Sequence, residues 1–189
     1  MEKLAPTHDW WDHIYDCAKE RGEAMGFEIH DINFTGFWSQ GDGACWVGRV
    51  DILKWLELNK PEDVNAHIVT ALIEDGWIER YVSISARDNH YSHSNTMSIA
   101  GIDSHEAYND EVLEKPSFFQ GASVMQMYDA LYEGYFADLK QEILDSAKHY
   151  ADDIYYQLRD EYEHLSSEEV IAELCDANEY LFMEDGELI

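Results

Sequence analysis

The chain has 189 residues, and its 40 acidic and 12 basic side chains give a formal net charge of −28. This charge excludes direct binding of nucleic acid phosphates, which needs a surface rich in Lys and Arg, and it disfavours anionic membranes. The hydrophobic fraction of 46% and the aromatic fraction of 13% exclude a disordered acidic chain, so a single folded domain over residues 1–189 is expected.

The N-terminal residues predict a helix followed by a β-hairpin. Thr7 suits the N-cap of a helix that reaches about Gly22, because apolar side chains recur there every three or four residues. Residues 27–38 are rich in β-branched and aromatic side chains, as in a strand. Residues 44–50 form the returning strand after a turn of Ser-Gln-Gly-Asp-Gly.

The following residues predict two helices and two strands, which complete an α+β part over residues 1–102. Asp51 can cap a helix over residues 52–58, and Pro61 is placed to begin a helix that continues over residues 62–74. Two further strands are expected, over residues 77–85 and 96–102.

The rest of the chain predicts an acidic helical part. Residues 103–121 have the composition of a connecting loop, and residues 122–189 form the acidic part. Within it, apolar side chains recur at helical spacing from Ala122 to His164, which indicates one long helix or a broken pair.

A short helix and a final strand are expected at the C-terminal end. Ser166 or Ser167 can cap a helix that runs to Asp176, and residues 178–182 are compatible with one more strand. The predicted fold class is therefore α+β, with a small antiparallel sheet, flanking helices and a long acidic C-terminal helical segment.

The acidic side chains of the C-terminal part are both dense and regularly spaced. Residues 116–189 contain eighteen acidic and only three basic side chains. Residues three or four apart on a helix place their carboxylates on one face about 5–6 Å apart, which is close to the spacing of phosphates along a DNA strand. The candidate partner-binding residues are Asp129, Glu133, Asp138, Glu142, Asp145, Asp152, Asp153, Asp160 and Glu161.

The turn of Ser-Gln-Gly-Asp-Gly is the most motif-like string. Its glycines favour a structural turn, because they supply positive φ angles. An anion-binding loop, or a role for Asp42 as a metal ligand or general base, stays open as the alternative.

No other pattern indicates a metal site or catalysis, so no enzyme, metal or cofactor is expected. The four histidines with any such potential lack the spacing of a metal site; they are His67, His90, His93 and His105. The odd set of three cysteines has no Cys-x-x-Cys pair and suggests reduced thiols, two or three of them buried; they are Cys17, Cys45 and Cys175.

Two segments resemble small uncharacterised proteins of bacteriophages and mobile elements. The segments are INFTGFWSQGDGACWVG at residues 32–48 and ANEYLFMEDGEL at residues 177–188. The resemblance implies a phage or mobile-element origin and a location in the host bacterial cytoplasm. In charge and size the chain is also similar to phage DNA mimics that inhibit restriction enzymes or CRISPR effectors.

The sequence therefore predicts a counter-defence inhibitor without catalytic activity. It would occupy the Lys- and Arg-lined DNA channel of a host restriction or CRISPR complex by electrostatic mimicry. Two alternatives stay open: an antitoxin-like protein that masks one basic partner, and a small enzyme that uses the loop around Asp42. The oligomeric state is not predicted.

Overall fold

A computed structural model describes residues 10–87, 92–102 and 134–178 of the chain. These residues form five α-helices: α1 (Asp12–Ala24), α2 (Ile52–Asn59), α3 (Val64–Glu74), α4 (Tyr135–Leu165) and α5 (Glu168–Ala177). They also form four strands: β1 (Phe27–Thr35), β2 (Gly43–Asp51), β3 (Tyr81–Ala86) and β4 (Met97–Ile99). The predicted α+β class with a small antiparallel sheet and a long C-terminal helix is confirmed.

The sheet has the order β1-β2-β3-β4, and each neighbouring pair is antiparallel. The predicted hairpin joins β1 to β2, and Gly41 adopts a φ of 104° in its turn. A Cβ atom at Gly48 would overlap the backbone carbonyl of Glu28 on the paired strand. The close approach of β1 to β2 therefore requires glycine at this position.

Two helices begin later than the sequence predicts. The first helix was expected from Thr7, but α1 begins at Asp12, because Trp10 and Trp11 pack their rings against Phe34 of the hairpin. The helix expected over residues 62–74 begins at Val64. Its N-cap is Asp63, whose carboxylate accepts a hydrogen bond from the backbone N–H of Asn65 at 2.8 Å.

Two predicted helix caps are present. The Asp51 carboxylate accepts a hydrogen bond from the backbone N–H of Lys54 at 3.3 Å at the start of α2. Of the two serines proposed for the cap of α5, Ser167 is the cap, since its hydroxyl accepts from the N–H of Val170 at 3.3 Å. The side-chain oxygens satisfy N–H groups that have no partner within the helix.

The last two strands are shorter than predicted. Trp77 donates its backbone N–H to Leu72 in the turn that ends α3, so β3 begins only at Tyr81. Thr96 belongs to a turn of 3-10 helix, so β4 is limited to Met97–Ile99. The loop expected over 103–121, the first residues of the helical part, and residues 179–182 of the strand expected over 178–182 lie outside the described residues, while Asn178 caps the C-terminal end of α5.

Helices α1 and α4 pack against the sheet and share one hydrophobic core with it. The Trp46 indole N–H on β2 donates to the backbone carbonyl of Ala147 on α4 at 3.0 Å. The Tyr150 hydroxyl on α4 donates to the carbonyl of Ala18 on α1 at 2.6 Å. The buried side of α4 is fixed by these contacts and consists of Phe136, Leu139, Ile143, Ala147, Tyr150, Ala151, Ile154 and Leu158.

Candidate acidic interface

The side of α4 opposite the core carries a row of acidic residues that we call the acidic stripe. Its members recur three, four, seven or eight residues apart and therefore lie on one face of the helix. Asp152 is half-buried and the others are exposed. The stripe consists of Asp138, Glu142, Asp145, Asp152, Asp160 and Glu163.

Not every residue of the predicted set belongs to this stripe. Asp153 is exposed but lies to one side of it. Glu161 follows Leu158 by three residues and is half-buried, so it lies toward the core side of the helix. Asp129 and Glu133 lie outside the described residues. Glu163 was missed, although its spacing from Asp160 marks it as a stripe residue.

The acidic stripe is long and only partly neutralised. From Asp138 to Glu163 it extends about 37 Å, at 1.5 Å per residue. The Lys60 ammonium lies 2.7 Å from a carboxylate oxygen of Glu142, and this hydrogen bond raises the pKa of Lys60. Asp138 and Asp152 form no ion pair with any other described residue.

Arg159 is the cation nearest the C-terminal end of the acidic stripe. Its guanidinium donates to a carboxylate oxygen of Asp160 at 3.0 Å, and this bond raises the pKa of Arg159. A second carboxylate, that of Glu163, lies 3.8 Å from the guanidinium, and the ring of Tyr156 lies 5.0 Å from it. One arginine is thus held by two stripe carboxylates and an aromatic face.

Helix α5 extends the acidic surface without adding a basic residue. Residues 134–178 contain twelve acidic and three basic side chains. Four of these acids belong to α5, and all are exposed; they are Glu168, Glu169, Glu173 and Asp176. Like charges at this density weaken an isolated helix, so tertiary packing of the core side must hold α4 in place.

An aromatic cluster joins the hairpin tip to the C-terminal half of α4. The ring of Phe37 lies 5.1 Å from that of Tyr162 and 5.8 Å from that of Tyr155. Burial, followed by the charge of Asp42, raises the pKa of Tyr155. The cluster fixes the position of the hairpin tip and consists of Trp10, Trp11, Phe34, Phe37, Tyr155 and Tyr162.

The loop with Asp42 is organised by hydrogen bonds within the turn. One carboxylate oxygen of Asp42 accepts from the backbone N–H of Trp38 at 2.8 Å and from that of Ser39 at 2.6 Å. The same oxygen lies close to Gly36, where a Cβ atom would approach it to 3.0 Å. The carboxylate therefore holds the turn closed, which favours the structural interpretation of this string.

Basic residues of the sheet part are used within the fold. Arg49 donates to Glu28 through two hydrogen bonds of 2.6 and 2.9 Å, which lower the pKa of Glu28. Burial acts to raise the pKa of Asp51, but hydrogen bonds from Arg80 and from the Lys54 backbone outweigh it and lower this pKa. The negative charges of Glu28 and Asp51 are therefore partly neutralised by arginines of the same part of the fold.

The described residues contain no group of three or more His, Cys, Asp or Glu side chains with the geometry of a metal site. His93 accepts the backbone N–H of Asn95 at 3.0 Å through Nδ1 and caps a short turn. The expectation of two or three buried cysteines was wrong, because Cys17 is exposed and Cys175 is half-buried. Cys45 is buried, and burial raises the pKa of its thiol.

No described helix combines the length and the apolar character that crossing a membrane requires. The longest of them, α4, carries the acidic stripe along its whole exposed side.

Residues 10–168 match the model of a protein family described as a domain of unknown function (DUF8835). The match spans the sheet, α1 to α3 and all of α4, so the chain belongs to this family. Comparisons with curated proteins and with solved structures give no match.

Proposed function

We propose that this protein binds and inhibits a nucleic-acid-binding protein by presenting the acidic stripe of α4 in place of a DNA strand. The observation that carries the proposal is the regular, outward-facing row of carboxylates on α4, three of which pair with only two cations, Lys60 and Arg159. A groove lined by Lys and Arg would bind this row through contacts of the kind it makes with phosphates.

The partner class follows from charge and from the resemblance to phage and mobile-element proteins. A chain with a net charge of −28 destabilises itself by repulsion, and binding a strongly basic surface relieves that repulsion. We propose a host restriction enzyme or CRISPR effector as the target, in the bacterial cytoplasm. The proposed mechanism is occupation of the DNA channel, with no chemical step.

The rigidity of α4 supports this proposal. Trp46 and Tyr150 hold the helix against the sheet and α1 through buried hydrogen bonds. The carboxylates are therefore arranged before binding, and little backbone entropy is lost when the partner docks. Association between such oppositely charged surfaces is fast at low salt and slows as ionic strength rises.

The test is affinity capture from a lysate of the bacterial host. The tagged protein is incubated at low salt, bound proteins are eluted with a salt gradient, and each fraction is identified by mass spectrometry. We expect a nuclease or a CRISPR subunit that elutes at moderate salt. Added duplex DNA should compete with this capture.

Masking of one basic partner is the second candidate, and the exposed aromatic side chains Trp38 and Tyr156 favour it. Such a partner would be anchored by these rings and would elute with weak salt dependence. Capture that duplex DNA leaves unchanged would reject mimicry and support masking.

A further inference from the structure

Two aromatic side chains, one at the hairpin tip and one on the acidic stripe, are exposed, although neighbouring rings are packed. Trp38 at the hairpin tip is 70% exposed, and Tyr156 in the middle of the acidic stripe is 50% exposed. Large exposed aromatics are common anchors of protein interfaces, because they bury much surface with few rotatable bonds.

The hairpin tip is held next to α4 by a chain of ring contacts. Phe37, which precedes Trp38, packs its ring 5.8 Å from that of Tyr155, and Tyr155 lies 5.8 Å from Tyr156. The backbone N–H of Trp38 is held by the Asp42 carboxylate at 2.8 Å. The backbone at Trp38 is therefore fixed, while its side chain remains available to a partner.

The chain itself shows which group this surface accepts. The Arg159 guanidinium lies over the ring of Tyr156 at 5.0 Å while it binds Asp160 and, more distantly, Glu163. A planar guanidinium can stack on an aromatic face and donate to carboxylates at the same time. An ammonium group has no flat face for such stacking.

We infer that Tyr156, together with the carboxylates of Asp160 and Glu163, forms an anchor that binds an arginine side chain of the basic partner, and that Trp38 at the hairpin tip offers a second aromatic face to the same partner. This inference rests on the proposed function and names the chemistry of the contact. Charge complementarity selects a cationic occupant, and we expect arginine over lysine because a guanidinium can lie flat on the ring while it donates to both carboxylates. Arg159 occupies the anchor in the free protein and is displaced by the partner.

The test uses deca-arginine and deca-lysine peptides of equal charge as probes, titrated by calorimetry and by NMR of the Trp indole N–H groups. We expect the parent protein to bind deca-arginine more tightly, and the Trp38 indole signal to shift while the buried Trp46 signal does not. Trp38→Ala and Tyr156→Ala should each reduce the arginine preference by about twofold to fivefold. Arg159→Gln should strengthen the binding of deca-arginine.

Tyr81→Ala is the control for location, because Tyr81 is also exposed and its ring also lies near guanidinium groups, those of Arg49 and Arg80, but it stands on β3, away from the acidic stripe. It should leave the arginine preference unchanged. An arginine preference that survives both Trp38→Ala and Tyr156→Ala overturns the anchor and leaves mimicry in place. Failure of the parent protein to bind either peptide at low salt contradicts the proposed function as well.

Discussion

The two parts of the molecule use their charges in different ways. The described residues 10–102 contain fourteen acidic and seven basic side chains, whereas residues 134–178 contain twelve and three. In the first part, Arg49 and Arg80 bind carboxylates of the same sheet region. In the second part, most acids face solvent on α4 and α5. The net charge of the described residues is therefore −7 over residues 10–102 and −9 over the shorter stretch 134–178, so the negative charge is denser on the helical surface.

Under the proposed function, the first part would serve as the support and the second as the contact surface. The sheet and α1 bury the apolar side of α4 and so hold the acidic stripe outward, and the pair of Glu142 with Lys60 adds one polar contact between the two parts. A surface whose charges are not needed for folding is free to be selected for binding.

Trp46→Ala should have the largest effect on stability. The indole is fully buried and joins the sheet to α4, so its removal leaves a cavity and loses a buried hydrogen bond. We expect a loss of about 3–5 kcal/mol in the free energy of unfolding, measured by urea denaturation. The same substitution at the exposed Trp38 is the control and should cost less than about 0.5 kcal/mol. Equal losses of stability at Trp46 and Trp38 would contradict the proposed role of the sheet as the support of α4.

Gly48→Ala should destabilise the hairpin, because the added methyl group overlaps the Glu28 carbonyl. Neither backbone can move without disturbing the pairing of β1 with β2. We expect a loss of about 1–3 kcal/mol in urea denaturation. Gly134→Ala is the control, since a Cβ there meets no atom within 4 Å. A Gly48 variant as stable as this control would show that the sheet tolerates a wider strand separation.

Asp51→Ala should remove the cap of α2 and the ion pair with Arg80. Loss of the cap alone should lower the free energy of unfolding by about 1 kcal/mol at neutral pH. The pKa of Asp51 is lowered in the fold, so its contribution is present above the ordinary aspartate pKa. That contribution is lost as the pH falls through the lowered pKa of the folded state. The stability difference between parent and variant should therefore shrink in acid, as followed by urea denaturation at several pH values.

Asp51→Asn is the companion variant, because asparagine caps a helix about as well as aspartate but carries no charge. Asp51→Asn should lower the free energy of unfolding by less than Asp51→Ala does. If the difference between parent and Asp51→Ala is unchanged in acid, the charge of Asp51 plays no part in stability.

Sodium chloride should stabilise the free protein by screening the repulsion among its 40 acidic side chains. Each kcal/mol added to the free energy of unfolding near the melting midpoint raises the Tm of a chain of this size by about 2–4 °C. We expect a small rise between low and moderate salt in a calorimetric scan. Binding to the basic partner should weaken over the same range. A Tm that falls with salt would mean that internal ion pairs outweigh the repulsion.

Local signals in the sequence predicted much of the fold. Asp51 and the serines before α5 identify helix starts through their side-chain oxygens, and the Gly-rich turn identifies the hairpin. The start of α1 was not predictable in this way, because it depends on the packing of Trp10 and Trp11 against Phe34, which is distant in sequence.

The candidate interface was predictable only in part. The acidic spacing on α4 is visible in the sequence, and Glu163 could have been added from that spacing alone. The half-buried position of Glu161 and the exposure of Trp38 depend on how the hairpin packs against α4. Such contacts are tertiary and leave no periodic signal in the chain.

The affinities of two charge-reversed variants for the captured partner decide whether the acidic stripe is the contact surface. One variant carries Asp145→Lys, Asp152→Lys and Glu163→Lys on α4. The other reverses three exposed glutamates on α2, α3 and the turn between them: Glu57→Lys, Glu62→Lys and Glu74→Lys. Three such changes add six positive charges in each case, so the two proteins have equal net charge.

The α4 variant should lose at least about tenfold in affinity, while the other variant should stay within about threefold of the parent. Affinities that fall equally in both variants would show that net charge alone drives binding. An α4 variant that binds as tightly as the parent would contradict the claim that the acidic stripe replaces a DNA strand.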